Sequence, residues 1–252
     1  MNTVNPTSPI KHEPELLGQT VVVIGGSAGI GLETGRRAHA EGAKVILTGR
    51  DPERLQRAAS ELDALSTATF DATDPAPLER FFRDLPHIDH VMVTAGRPTY
   101  GRLLDMDSEQ ARRALDAHLL LVLQVARNAA PKVRPGGTLL FMGGTGGRRP
   151  GIGLGTVSTV TAALPALIAN LALELAPVRV NLIAAGFVDT PLSASLLGNE
   201  LENRRKQLRA TLPIRRVVGP ADVAALAVHI MTNTALTGAT YDVDGGQQLV
   251  AA

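Results

Sequence analysis

Short, nearly continuous runs of Val, Ile and Leu alternate along this chain with longer stretches whose apolar residues recur every three or four positions. The first pattern marks strands buried on both faces; the second marks helices with one covered side. Strands are predicted over 20–25, 44–48, 68–71, 91–94, 138–142, 179–184 and 240–243. Helices are predicted over 29–41, 52–62, 75–84, 108–130 and 154–175. Strand–helix alternation requires a parallel sheet, and right-handed crossovers place helices on both of its faces. The expected architecture is a single α/β domain on a doubly wound parallel sheet of about seven strands.

Two stretches depart from this rhythm. Residues 1–17 hold three prolines and no long apolar run, and read as a flexible arm before a domain over 18–252. Residues 188–212 are mostly polar and helical, inserted after the sixth strand. Insertions of this kind form lids over active sites.

Composition narrows the partners. The 252 residues, 44% of them hydrophobic, suit one domain with a full core. A net charge of +1 and 3% aromatic residues give no basis for nucleic-acid or anionic-membrane binding. The chain has no cysteine, which removes disulfides and thiolate metal sites. His87 and His90 are spaced like a metal pair but have no third ligand in the sequence, so no metal is expected. No signal-peptide core stands in the first residues. The longest apolar stretch, 162–176, is interrupted by Pro165, Asn170 and Glu174. The expectation is a cytoplasmic protein without a membrane span.

The first strand runs into Gly25-Gly26-Ser27-Ala28-Gly29-Ile30-Gly31, which opens the first helix. Gly25 permits the turn, Gly29 lets the backbone approach a pyrophosphate, and Gly31 allows close helix–sheet packing. The helix N-terminus then offers free N–H groups to the anion. Further motifs follow in order: Asp71-Ala72-Thr73-Asp74, Val93-Thr94-Ala95-Gly96, Arg179-Val180-Asn181, Ala185-Gly186-Phe187-Val188-Asp189-Thr190 and Asp244-Gly245-Gly246. On these residues the chain resembles the short-chain dehydrogenase/reductase family, a Rossmann-type fold, from about 18 to 250. The resemblance implies a nicotinamide cofactor held by Gly25, Ser27, Ala28, Gly29, Ile30 and Gly31. It implies Asp71 and Ala72 at the adenine, Thr94, Ala95 and Gly96 along the cofactor, and Gly186, Val188 and Thr190 near the nicotinamide carboxamide.

The choice between cofactors is written at the end of the second strand, Leu47-Thr48-Gly49-Arg50. An acid there would accept the ribose hydroxyls and favour NAD. None is present, and Arg50 is suited to a 2′-phosphate, with a solvated surface arginine as the plain alternative. Asp51 reads as the cap of the next helix. The cofactor expected is NADP(H).

The resembled family donates a proton from a Tyr, assisted by a Lys four residues later, a Ser after strand five and an Asn on the long preceding helix. Those positions here are Val157, Thr161, Gly144 and His118. Valine has no proton to give, and threonine has no pKa near neutrality. His118 alone of the four titrates near pH 7, either as a catalytic acid or as a helix histidine bonded to backbone or water. Thr94, Thr145 and Ser158 are able to orient a carbonyl. Arg148 and Arg149 either bind an anionic substrate or are solvated. Pro165 clashes with the carbonyl of Thr161 in a helix and predicts a bend there.

Two functions fit these residues. One is an NADP(H)-dependent oxidoreductase that acts on an unidentified small carbonyl or alcohol by a non-standard mechanism. The other is an NADP(H)-binding protein without redox turnover: a sensor, a scaffold subunit or a non-redox isomerase. A complete cofactor groove beneath a lid favours the first, with a small-molecule substrate. The helices over 108–130 and 154–175 are apolar on more than one side. The resembled family pairs them across a two-fold axis, so a homodimer or homotetramer is expected.

Overall fold

The computed structural model describes residues 13–250. The chain runs β1 (Thr20–Ile24), α1 (Gly29–Ala40), β2 (Lys44–Gly49), α2 (Pro52–Leu62), β3 (Ser66–Thr69), α3 (Pro75–Asp84) and β4 (Ile88–Val93). There follow α4 (Ser108–Leu115), a π turn (Asp116–Leu120), α5 (Leu121–Ala129), β5 (Val133–Gly144), α6 (Gly155–Glu174) and β6 (Arg179–Ala185). α7 (Pro191–Leu197), α8 (Leu201–Thr211), α9 (Pro220–Thr232) and β7 (Thr240–Val243) complete it. The strands form one seven-stranded sheet in the order β3-β2-β1-β4-β5-β6-β7. Every neighbouring pair is parallel. The direction of winding reverses between β1 and β4, which opens a crevice at the carboxyl ends of the strands.

Strand periodicity sorts the core into two layers. Val22, Ile24, Val91, Val93, Leu139 and Phe141 pack with Phe82 of α3, Val125 of α5 and Leu164 of α6. Their alternates Val21, Val23, Met92 and Leu140 pack on the other face with Ala38 of α1, Leu55 of α2 and Val228 of α9. Helix starts are fixed by local chemistry. Asp51 accepts from the Arg54 N–H at 3.0 Å with Pro52 in the first turn, as expected of a cap. Asp74 does the same for Ala76 at 3.2 Å.

The structure revises several expectations. Leu16 is fully buried and its N–H donates to Glu41 O at 2.9 Å, so the packed fold starts before Gly18. Residues 1–12 of the expected arm lie outside the described residues. β3 begins two residues earlier than predicted. It is a mostly exposed edge strand whose place is set by backbone pairing with β2 and not by apolar residues. α9 was not predicted: it is apolar nearly all round, which leaves no helical period to read. The helix expected over 108–130 contains a π turn, with the Leu121 N–H donating to Asp116 O five residues back. α6 runs unbroken through Pro165. By length and composition α6 is also apolar enough to cross a membrane, contrary to the sequence reading. Here Val160, Leu164, Ile168 and Leu171 are buried against the sheet, while Leu173 is 81% exposed.

Candidate functional site

The crevice is a cleft of about 1160 Å³, roofed by α7 and α8 through residues such as Leu196 and Leu208. The insertion expected to be a lid does cover it. The Arg205 guanidinium ties α8 to Asp189 with bonds of 2.9 and 2.7 Å. α7 is started by a reciprocal cap, with the Ser193 N–H donating to Thr190 Oγ1 at 3.2 Å and the Thr190 N–H to Ser193 Oγ at 2.9 Å.

At one end the cleft is bounded by backbone. Gly25 has φ +91°, and a Cβ there would lie 2.8 Å from Ala95 N. A Cβ on Gly31 would lie 2.3 Å from Gly25 O. Gly25 and Gly26 donate their N–H groups to Thr48 O at 3.1 and 2.9 Å. The loop is thereby pinned to β2, and α1 starts at Ala28 with no side chain capping it. Its first N–H groups are left for an anion, and Ala28, Gly29, Ile30 and Gly31 line the cleft. This cradle of missing side chains around an uncapped helix start fits a dinucleotide pyrophosphate.

Ala95, Gly96, Gly186, Val188 and Thr190 also line the cleft. Gly186 is required because a Cβ would meet Asp244 Cβ at 2.6 Å. Ser27, Arg50, Asp71 and Ala72 lie outside the cleft proper. Ser27 sits against the end of β2, with its Oγ 3.2 Å from where a Gly49 Cβ would be. Arg50, 75% exposed in its side chain, pairs with Asp71 at 3.7 Å. Burial tends to raise the Asp71 pKa, but hydrogen bonds from Thr73 and the Arg50 charge outweigh it and hold the carboxyl below its usual range. Ala72 is buried beside them. The residues assigned to the adenosine end are thus adjacent to one another at the rim of the sheet.

The four positions expected to align with the family's proton-donor group, His118, Gly144, Val157 and Thr161, also line the cleft. A Cβ on Gly144 would lie 3.3 Å from Thr161 Cγ2, and one on Gly146 would lie 3.3 Å from Val157 Cγ1. Gly144 is thus beside Thr161, and Gly146 beside Val157, in the wall of the cleft. Most hydroxyls nearby have their proton committed to backbone. Thr94 Oγ1 faces Ile24 O at 3.2 Å and Gly25 O at 3.1 Å, so it clamps the glycine loop and is not poised for a carbonyl. Ser158 Oγ donates to Gly146 O at 3.1 Å, and Thr161 Oγ1 to Val157 O at 2.8 Å. Thr145, 5% exposed and lining the cleft, has no hydrogen-bond partner for its hydroxyl among the described residues.

His118 lies in the π turn. Its Nδ1 is 3.3 Å from Ala114 O. A carbonyl only accepts, so Nδ1 carries the proton and Nε2 is a bare acceptor. That Nε2 is 3.6 Å from the position of a Gly96 Cβ, beside the cofactor wall. Burial lowers the His118 pKa, partly opposed by the bond to Ala114. His90 and His87 have separate partners: His90 Nε2 meets Gln19 Oε1 at 2.6 Å, and His87 Nδ1 meets Lys132 O at 3.3 Å. Burial pushes His90 down to about 4.

Sequence reasoning passed over Arg204 of α8, which also lines the cleft. A signal was available. Arg204 falls between Leu201 and Leu208 at helical spacing, where a covered face would otherwise be apolar.

A family profile described as enoyl-(acyl carrier protein) reductase matches residues 25–248. The short-chain dehydrogenase/reductase ATR9 of Stachybotrys chlorohalonatus is 28% identical, over 92% of this chain and 98% of that protein. The solved structure of BdcA in complex with NADPH superposes with a TM-score of 0.82 at 26% identity, covering 92% of this chain and 95% of that one. A short-chain dehydrogenase/reductase family protein superposes with a TM-score of 0.82 at 30% identity, covering 94% of this chain and 100% of that one. The likeness runs through the sheet, the lid and the C-terminal turn and not through the glycine loop alone: the chain belongs to the short-chain dehydrogenase/reductase family.

Proposed function

We propose that the protein is an NADP(H)-dependent oxidoreductase acting on a small carbonyl or alcohol without the family's usual proton donor. The observation that carries this reading is the cleft itself. A complete backbone cradle at one end faces an open imidazole nitrogen and an unpartnered hydroxyl at the other. A bound nicotinamide supplies or accepts hydride there. The N–H groups opening α1 hold the pyrophosphate. Arg50 turns to the 2′-phosphate; its pair with Asp71 is exposed and worth at most about 1 kcal/mol, so little is lost by exchanging it. Thr145 Oγ holds the substrate oxygen. His118 Nε2 takes the proton of an alcohol, or returns one to a carbonyl when the ring is protonated. NADPH in related solved structures supports the cofactor choice.

Calorimetric titration tests the cofactor assignment. NADPH is expected to bind at least tenfold more tightly than NADH, about 1.4 kcal/mol, and Arg50→Ala should erase most of that ratio. Equal affinities in the parent would overturn it. Tight NADPH binding with no turnover on any carbonyl would leave the binding-protein reading in its place.

The same reading includes a homodimer or homotetramer. Leu120, Leu123 and Leu173 leave apolar surface exposed around α5 and α6. Light scattering at micromolar concentration should give at least twice the chain mass; a monomer would contradict it.

A further inference from the structure

Two pairs of adjacent arginines flank the cleft, and each pair is divided in the same way. Arg148 binds Asp242 at 2.6 and 2.8 Å, while its neighbour Arg149 lines the cleft. Arg205 binds Asp189, while its neighbour Arg204 lines the cleft. Neither cleft-facing arginine has a carboxylate partner among the described residues. Arg149 is aimed by its bonds to Gln247 O at 2.7 Å and Val250 O at 3.1 Å. Arg204 is steadied by Gln207 Oε1 at 2.7 Å. Each keeps guanidinium donors unused. They are also close enough to act on each other: burial first, and the Arg149 charge second, lower the Arg204 pKa. Two half-buried like charges, converging on one cavity with acids reserved for their neighbours, cost free energy unless an anion joins them.

We propose that Arg149 and Arg204 together bind an anionic oxyacid group of the substrate, a carboxylate or a phosphate, at the lid end of the cleft. The assignment rests on the reading of the cleft as a cofactor and substrate site, and it narrows the substrate class to charged carbonyl or alcohol compounds. The cofactor's own phosphates are served elsewhere, by the start of α1 and by Arg50. Because Arg204 rides on α8 and Arg149 on the loop after β5, one anion bridging both would also hold the lid against the body.

The test is titration calorimetry on the full chain, cofactor-free and saturated with NADPH. The matched probes are acetoacetate with its methyl ester, and dihydroxyacetone phosphate with dihydroxyacetone. At least one anion should bind tenfold or more tightly than its neutral counterpart, and the tighter of the two anions distinguishes a carboxylate from a phosphate. Raising sodium chloride from 50 to 500 mM should shrink the preference. The double variant Arg149→Gln, Arg204→Gln should reduce it below threefold, the double Lys variant should retain part of it, and Arg148→Gln should leave it intact. Circular dichroism melting checks folding; if the double Gln variant does not fold, the single variants and the salt series decide. No preference in the parent, or a preference that survives the double Gln variant, overturns the proposal. So does a loss of NADPH affinity above tenfold in that variant, which would assign the arginines to cofactor phosphates. If the parent fails to bind NADPH yet keeps the preference, the cofactor reading falls and the anion site stands.

Discussion

The two ends of the cleft are held to their composition by different physics. At the cofactor end, what matters is what the residues lack. A Cβ on Gly31 would sit 2.3 Å from a carbonyl oxygen of the same loop, so nearly every substitution collides with backbone. At the inner end, what matters is what the residues carry. Gly144, Val157 and Thr161 fit together without strain and without an acidic proton for a substrate. A steric constraint is broken by almost any change, whereas a chemical one is lost or regained through a few side chains.

The comparison is broken most forcefully by restoring the chemistry. The triple variant Gly144→Ser, Val157→Tyr, Thr161→Lys supplies the hydroxyl, phenol and ammonium of the family pattern. A Gly144 Cβ has 3.3 Å to its nearest neighbour, so the Ser needs only a small adjustment. General acid catalysis is worth about 10²–10⁴-fold, and ketone reduction with NADPH should rise within that range. Steady-state assays on a panel of neutral ketones measure it. No gain, with NADPH affinity intact, would mean that the inner end has changed in shape as well as in chemistry.

A smaller effect sharpens the other side. Gly31→Ala should weaken NADPH binding about hundredfold and lower the melting temperature, because overpacking of this kind costs about 1–3 kcal/mol and shifts the loop that meets the pyrophosphate. Gly144→Ala should change NADPH affinity less than threefold. Similar losses from both substitutions would erase the distinction between the two ends.

The same contrast explains what was legible in the sequence. The sheet and the glycine loop could be read because burial on two faces and the exclusion of Cβ atoms are recorded in residue type, position by position. α9 was hidden by its uniform apolarity, and the bounds of β3 were blurred by its exposure. The positions aligned with the family's proton donors could be read as a register, and Val157, Thr161, Gly144 and His118 all line the cleft. Which hydroxyl is left without a partner was not legible. Thr94, Thr145 and Ser158 are equivalent in the sequence, and only their neighbours commit two of them to backbone carbonyls. Nor does a run such as Arg148-Arg149 or Arg204-Arg205 say which member takes the acid, because Asp242 and Asp189 stand 94 and 16 residues away in the chain.

The smallest expected effect belongs to His118, and its sign follows from burial. The ring donates from Nδ1 to Ala114 O, and burial lowers its pKa from the usual 6.5. Carbonyl reduction needs the protonated ring, so kcat/KM for reduction should rise as pH falls from 8 toward 6, without reaching a plateau at 6.5. Alcohol oxidation needs the neutral ring and should not rise as pH falls across the same window. His118→Asn should flatten the reduction profile, costing about tenfold at pH 6 and little at pH 8. A stability measurement must accompany the assay, because a folded pKa held below its unfolded value makes acid destabilising. Stability is full above pH 6.5 and declines as pH falls through the window between the two values. His90, pushed down to about 4, adds a loss of about 1 kcal/mol by pH 6 and about 3 kcal/mol only by pH 4. Denaturant melts at each pH separate a rising rate from a falling folded fraction. A reduction profile that keeps its slope in His118→Asn would remove the imidazole from the reaction and leave Thr145 with water as the proton path.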